Sequence, residues 1–557
     1  MIKNKFLIIV IFITGVSCAF TQDADLINRA VSEGDCGTLY LFTSSPEGKD
    51  QRLVTSAAQA LRRYTVYDTA AARYRTNRMD SRIRNIGNAL TENVFTDPQR
   101  YLPDVVTRLI TGVSDHLQRA KIINDWICDN IAYDAQTYFG TAYRSQDYVS
   151  VLNSKLAVCA GFASLFNEMC RLASVECIII SGFSKGFGYT GRIGSYPDHD
   201  WNAVKVNNKW YLVDVTWNAG HMDNRTYIKR YSTDYLFLDS RSFLYSHLPL
   251  DNKYQFYAPL VTREQFVEEP YIAGAFFKYQ LTFNSERLRY NNFAGNGGYV
   301  LELTSSNSAL QLISAVRTAQ QQDIAGAEWQ EKSGNTTTFI FDVPDGGDYK
   351  GHVFARLSSD RRINSRIPIN TYEQRIIPLL DELLQNRRIT ESEKEYFINS
   401  YYKIPQNGYY YFSEDQFDTA RNNAVIKIHP LVNLSLEQFE SILNFNLKAA
   451  GGYNGFSGSY SRRFPDSYTA FREASSTRLI SPVKGILKSG DTETFAVTSR
   501  DYTGFTVQIN GRYVNFTRNG NGPFELELTI PSGINQLIIY GIRSNSYTGL
   551  IRYAVEQ

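Results

Sequence analysis

Net charge is nearly absent: 58 basic residues stand against 56 acidic ones in 557, a balance of +2. That balance gives no support to a nucleic-acid footprint, which needs a basic excess on one face. Cysteine is scarce, with six in the chain. If a leader carrying Cys18 is removed, Cys36, Cys128, Cys159, Cys170 and Cys177 remain. An odd set cannot be a disulfide scaffold, and an unpaired thiol in an exported chain needs a reason. Histidine is also scarce, with six residues. No HExxH motif or clustered Cys/His spacing occurs, so no metal site is expected, and His221 and His247 read as surface or packing residues. Past the N-terminus no run is long and apolar enough to span a bilayer, so the mature chain is expected to have no transmembrane span.

The N-terminus itself is informative. Lys3 and Lys5 precede an apolar run from Phe6 to Ile13, followed by Gly15, Ser17 and Ala19. This is the layout of a secretory signal over residues 1–19, and it implies export to the medium, the periplasm or the cell surface. A rival reading, a lipoprotein signal with Cys18 as the lipidated residue, stays open. Gly15 argues against it, since that position usually holds a larger aliphatic residue.

The length exceeds what one core serves, and three or four domains are expected. Thirty-eight Tyr and 33 Phe suit β-rich domains with half-buried faces. Residues 20–100 read as a polar helical region. Over 101–258 the pattern tightens: Ser114 or Asp115 can cap a helix running to about Asn130, with Leu117, Ala120, Ile123 and Ile127 on one face. Residues 259–360 read as short strands of an immunoglobulin-like β-sandwich, with Asp345-Gly346-Gly347-Asp348 as one turn. Residues 361–450 read as helical, with capping boxes at Thr390 and Ser435. Residues 451–480 form a linker, and 481–557 a second β-sandwich.

The most informative stretch is a hairpin. His199–Val206 and Lys209–Trp217 read as its strands, and Asn207-Asn208 as the turn, because Asn tolerates positive φ. A two-residue turn sets Val206 opposite Lys209, Trp201 opposite Asp214 and His199 opposite Thr216. Alternation then puts His199, Trp201 and Asp214 on one face. His199 and Asp214 become diagonal neighbours, with backbones about 7–8 Å apart. Upstream, Cys159 falls at the start of a helix whose buried side is Phe162, Leu165, Phe166 and Met169.

These three residue types fit nucleophilic catalysis. A thiolate is favoured by a helix N-terminus and a nearby imidazolium. Histidine then serves as general acid, and a carboxylate on its far nitrogen fixes the tautomer. Taken alone, each feature is more often structural: a core thiol, or a His–Asp hydrogen bond. A decoy, Gly186-Phe187-Gly188-Tyr189-Thr190-Gly191, fits GxGxxG but runs into a hairpin, so its phosphate-binding logic is missing.

Three segments carry a resemblance: Ala157-Val158-Cys159-Ala160-Gly161-Phe162-Ala163, His199-Asp200-Trp201-Asn202-Ala203-Val204, and Trp210 through Trp217. Together they resemble the motifs of the transglutaminase-like (papain-related) superfamily, and more narrowly its kyphoscoliosis-peptidase branch. The resemblance covers roughly residues 100–258. It implies an α+β fold: a papain-like transglutaminase core, with a Cys-bearing helix on an antiparallel sheet, plus β-sandwich accessory domains and a helical segment. It implies Cys159 as nucleophile, His199 as base and acid, and Asp214 as orienting carboxylate. Trp201 and Trp217 are expected to bind substrate by shaping and drying the site, and the Cys159 N–H to serve an oxyanion hole. No cofactor is implied, and no acidic cluster resembles the calcium sites of animal transglutaminases. The expected partner is a protein or peptide substrate cut at an amide through a thioester. Hydrolysis is the simplest outcome, with transamidation or deamidation as alternatives. A non-catalytic surface scaffold that keeps the fold, with β domains that hold a cell-surface or cell-wall partner, is the rival from another class.

Overall fold

The computed structural model describes residues 22–557 except 48, 66–67, 224, 284–287, 295–297, 321, 325, 344–346, 358–365, 402–408, 412–423, 425–426, 429–439, 450–463, 475 and 545. The signal segment, the turn around Gly346, the Ser435 capping box and the start of the linker fall outside the described residues. The chain divides into two compact units, one built from Met1–Phe266 and Arg361–Gln438, the other from Val267–Asp360 and Phe439–Gln557. Among the described residues, no helix is long and apolar enough to cross a membrane.

In the first unit, helix α1 (His116–Asn130) is capped by Asp115, whose carboxylate accepts the Leu117 N–H at 2.9 Å. Helix α2 (Cys159–Leu172) follows, and then strands β1 (Glu176–Ser184), β2 (His199–Val206) and β3 (Lys209–Val213), the short helix α3 (Val215–Ala219), and strands β4 (Leu236–Leu238) and β5 (His247–Pro249). The sheet order is β4-β3-β2-β1-β5, antiparallel throughout. Phe162, Leu165, Phe166 and Met169 of α2 share one buried core with Val204 of β2 and Val213 of β3. The amphipathic helix therefore lies on the sheet face that carries these valines, and Asn202 Nδ2 donates to Ala163 O at 3.1 Å to fix it there. This is the α+β arrangement that the resemblance implies, a Cys-bearing helix on an antiparallel sheet.

The hairpin turn forms as expected. Asn207 and Asn208 take φ of 51° and 57°, and Val206 pairs Lys209. The return strand is shorter than expected. Its last rung is Asn202–Val213, and residues 214–217 leave the ladder. The reason is local: Asp214 becomes the N-cap of α3, accepting the Trp217 N–H at 3.0 Å. A carboxylate that can satisfy a helix terminus competes with the next ladder bond. Asp214 and Thr216 therefore do not pair Trp201 and His199, which pair Ile180 and Gly182 of β1 instead.

The segments before residue 100 are helical, including Gln51–Thr65 and Asn88–Thr96. They brace the hairpin: Tyr211 OH donates to Asp68 at 2.6 Å, and Lys205 Nζ to Ser32 O at 2.8 Å. A small core of Ile376, Leu380, Leu383 and Phe397 joins the helices Ile377–Gln385 and Glu391–Ile398, the second opened by the Thr390 capping box.

The second unit is β-rich. Tyr271–Ile272, Glu440–Ala449, Asp348–Leu357 and Leu310–Thr318 form one sheet, in that order, with Asn291–Ala294 also against Glu440–Ala449. Leu281–Phe283, Tyr299–Ser305, Thr336–Phe341 and Glu328–Ser333 form another. Phe341 and Phe445 meet edge-on between them, ring centroids 5.4 Å apart. The reading of 361–450 as helical is thus corrected over Glu440–Ala449, which is a strand. Its apolar residues Leu443, Phe445 and Leu447 alternate, and its partner strand, Asp348–Leu357, lies far away in sequence. In the expected linker, Asp466–Ser467 is a strand and Thr469–Glu473 a helix. The last segment is a second two-sheet arrangement, with a core that includes Leu479, Phe495, Phe505, Leu537 and Tyr553.

Candidate active site

Cys159 is the first residue of α2, and Val158 before it is extended. The cap has no side-chain acceptor of its own. Instead Gln146 Oε1 accepts the Val158 N–H at 2.9 Å. Gly161 makes this approach possible: a Cβ there would lie 2.5 Å from Gln146 Oε1. The Cys159 N–H sits in the first turn, where the helix itself offers no acceptor. Cys159 is partly exposed, whereas Cys36, Cys128 and Cys170 are buried. Burial pushes the Cys36 thiol up to about 12 and the Cys128 thiol well above its ordinary value.

His199 opens β2 and is 7% exposed. Its Nε2 lies 2.7 Å from Asp214 Oδ2. Nδ1 is therefore the ring nitrogen left to face Cys159, whose thiol lies within electrostatic reach of the ring. Burial alone would push the imidazole down. The Asp214 charge and hydrogen bond, followed by the Cys159 hydrogen bond and charge, outweigh it and hold the ring well above its ordinary range. Burial would likewise raise the Asp214 carboxyl. The His199 charge and hydrogen bond, and then those of His247, hold it well below the usual carboxylate range. The structure thus brings Cys159, His199 and Asp214 together.

The two tryptophans divide. Trp217 is half-buried, its ring 5.6 Å from His199 and 4.4 Å from His247 between centroids. Trp201 is 1% exposed and packs against His199 and His247. Alternation puts Trp201 on the His199 face, and its ring is covered there, behind the histidine. Gly182 makes room for it, since a Cβ there would lie 2.5 Å from Trp201 Cη2.

His247 is a correction. It is wholly buried, neither a surface residue nor only a packing one. Its Nε2 lies 3.0 Å from Asp214 Oδ2, and Ser246 Oγ lies 2.8 Å from its Nδ1. No local spacing marks it. Gly182 of β1 pairs His199, and Ser184, two residues on, pairs His247, so both rings stand on one face only once β5 joins the sheet. His221, by contrast, is exposed on the strand Gly220–Asp223.

Among the described residues, His199, Asp214 and His247 are the group whose ligand atoms converge enough to suggest a metal, all within 4.8 Å. Their spacings are those of direct hydrogen bonds. A tetrahedral zinc holds its ligand atoms about 3.3 Å apart, so the two contacts to Oδ2 would have to open. The group is better satisfied as it stands.

An exposed aromatic pair lies within electrostatic reach of the thiol. Tyr138 and Phe187 are each 44% exposed, and the Tyr138 hydroxyl donates to Phe187 O at 3.3 Å. Burial raises Tyr138, and so does the negative charge of Asp198 and of Cys159. Phe187 belongs to the glycine-rich segment, which follows β1 and leads into β2 without a helix, so its phosphate-binding pattern is a loop beside the site.

The model of the family described as transglutaminase-like superfamily matches residues 103–215, which include Cys159, His199 and Asp214 but not His247. Human kyphoscoliosis peptidase is 36% identical over 183 residues, 32% of this chain and 27% of that protein. Hillarin of Drosophila melanogaster is 25% identical over 210 residues, 35% of this chain and 25% of its own. A solved structure described as a TGase aligns over 31% of this chain and 41% of its own at 16% identity, with a TM-score of 0.18. The chain spans about a quarter of the length of the curated relatives it matches, 27% for the human protein. Over residues 103–215, the domain that holds these three residues is transglutaminase-like, and over 183 residues the chain is similar to the kyphoscoliosis peptidases.

Proposed function

We propose that the chain is an exported, cysteine-dependent acyl-transfer enzyme acting on protein or peptide amides, with hydrolysis as its reaction. The single observation that carries this reading is the buried His199 ring, held by Asp214 at 2.7 Å on Nε2, with Cys159 at the start of its helix as the thiol that acts on the ring. In this reading the Cys159 sulfur attacks the amide carbon. The Cys159 N–H donates to the oxygen that becomes negative. The C–N bond breaks, and the leaving nitrogen takes the proton from His199 Nδ1. Water then gives its proton to Nδ1 and adds to the thioester carbon. Collapse frees a carboxylic acid and returns the sulfur to its starting state. Asp214 supports the imidazolium throughout. Trp201 and Trp217 keep water from the far side of the ring, which strengthens each charge interaction. Export rests on the N-terminal signal pattern, and the β-rich unit is the candidate contact region for a cell-surface or cell-wall partner.

Iodoacetamide labelling of the full chain near neutral pH tests the site. Cys159 is expected to react at least tenfold faster than Cys177, the other partly exposed thiol, with Cys36, Cys128 and Cys170 slower still. His199→Ala is expected to remove the preference. Equal, slow labelling of all five thiols would overturn the enzyme reading. A glutamine-containing peptide, with and without an added amine, then separates the reactions; incorporation of the amine would replace hydrolysis by transamidation.

A further inference from the structure

Asp214 receives two histidines, and the triad chemistry uses only one of them. The second, His247, is fully buried, and its ring is placed by contacts on both nitrogens. Asp214 Oδ2 can only accept, so His247 Nε2 must carry the hydrogen, and Nδ1 of the neutral ring then accepts from Ser246 Oγ. Four rings enclose it: Trp201, Trp217, Tyr235 and Phe243, with centroids from 4.2 to 5.5 Å away. We propose that His247 is a positioning residue for the acyl-transfer reaction: with its tautomer set by Ser246, it holds Asp214 Oδ2 where His199 Nε2 must find it. The proposal rests on the catalytic reading of Cys159 and His199 given above.

The physical need is specific. Asp214 stands at the end of β3, and its Oδ1 is already committed to the Trp217 N–H. A carboxylate pinned by one oxygen can still rotate about that contact. A second donor on Oδ2, reaching from β5, removes that freedom. His247 also takes part of the carboxylate's negative charge, so it tunes how strongly Asp214 favours the His199 imidazolium. The titratable groups facing the His247 ring are Asp214, His199 and Tyr235. Burial, with the Asp214 hydrogen bond and charge opposing it and the His199 charge adding to it, leaves His247 lowered to about 4. The ring therefore stays neutral where His199 is charged, as a fixed donor must.

The test is the pH profile of Cys159 alkylation by iodoacetamide in the full chain, measured for wild type, His199→Ala, His247→Leu, His247→Gln and Ser246→Ala. His247→Leu is expected to slow labelling at neutral pH about ten- to a hundredfold. It is also expected to move the loss of His199-dependent reactivity to higher pH, since more of the Asp214 charge then faces His199. His247→Gln places an N–H near the Nε2 position and is expected to recover most of the rate. Ser246→Ala is expected to shift the profile in the same direction by a smaller amount. Should His247→Leu fail to fold by circular dichroism, the Ser246→Ala profile decides, and a wild-type profile there overturns the proposal. A His247→Leu protein that folds and labels with wild-type rate and profile overturns it as well. If His199→Ala leaves labelling unchanged, the catalytic reading itself has failed and this inference falls with it. If His199→Ala slows labelling while His247→Leu does not, only the present inference is lost.

Discussion

Asp214 reaches His199 with Oδ2 at 2.7 Å while its other oxygen accepts the Trp217 N–H at 3.0 Å. One carboxylate thus ends a strand, starts a helix and orients the imidazole. The site and the local fold share a single side chain.

Asp214→Asn separates these duties. The amide oxygen can still cap the helix, but the charge that supports the imidazolium is gone and the amide NH2 then faces the two histidine nitrogens, so stability falls through the lost pairing and not through the cap. Amide hydrolysis is expected to fall on the order of 10³–10⁴-fold. Asp214→Ala should lose activity as severely and also about 1 kcal/mol or more of stability with the cap. Initial rates and urea midpoints for the two variants check both parts. Equal stability losses in the two variants would contradict the capping role.

His247 gives the acid side of the stability curve a distinct sign. Its folded value is lowered to about 4, below the ordinary imidazole value of 6.5. Between those values the unfolded chain binds the proton and the folded ring does not, so the contribution is present above about pH 6.5 and lost as pH falls toward 4. The loss is on the order of 3 kcal/mol for a wholly buried ring. His199 has the opposite sign: its raised value adds stability below about pH 6.5, lost only as pH rises through its folded value. Wild type should therefore lose more stability than His247→Gln between about pH 7 and 4. Parallel curves from urea melts at several pH values would contradict the assignment.

Away from the site, Asp125 and Lys121 pair one turn apart on α1, both buried, and Tyr231 OH donates to Asp125 at 2.6 Å. The Asp80 N–H donates to the same carboxylate at 2.7 Å. Asp125→Ala strands a buried ammonium and two donors. A loss of about 3–5 kcal/mol is expected, measured by urea denaturation. A replacement of both Lys121 and Asp125 by apolar residues of similar size should cost clearly less, because no charge is left unpaired.

Much of the site was legible because its signals are local. The thiol at a helix start follows from the apolar spacing after Cys159. The Asn207-Asn208 turn fixes the hairpin count and so puts His199 and Asp214 on one face. The same count extended the strand to Trp217, because ladder alternation carries no information about capping. Whether Asp214 continues a strand or opens a helix depends on a competition between two hydrogen-bonding patterns of similar strength.

The sequence by itself determined the elements whose periodicity is complete within a few turns: the length of α1, with its cap narrowed to Ser114 or Asp115, the nucleophile-bearing helix, the two-residue turn, and the capping box at Thr390. Tertiary structure alone decided the pairings that close over long separations. Glu440–Ala449 became a strand because Asp348–Leu357 offered it an edge. Trp201 was covered because Gly182 lets its ring lie across β1. His247 reached Asp214, 33 residues away, because β5 pairs with β1 on the side opposite β2. Local spacing cannot encode such contacts, since their geometry is set by sheet order and by the absence of a side chain at one glycine.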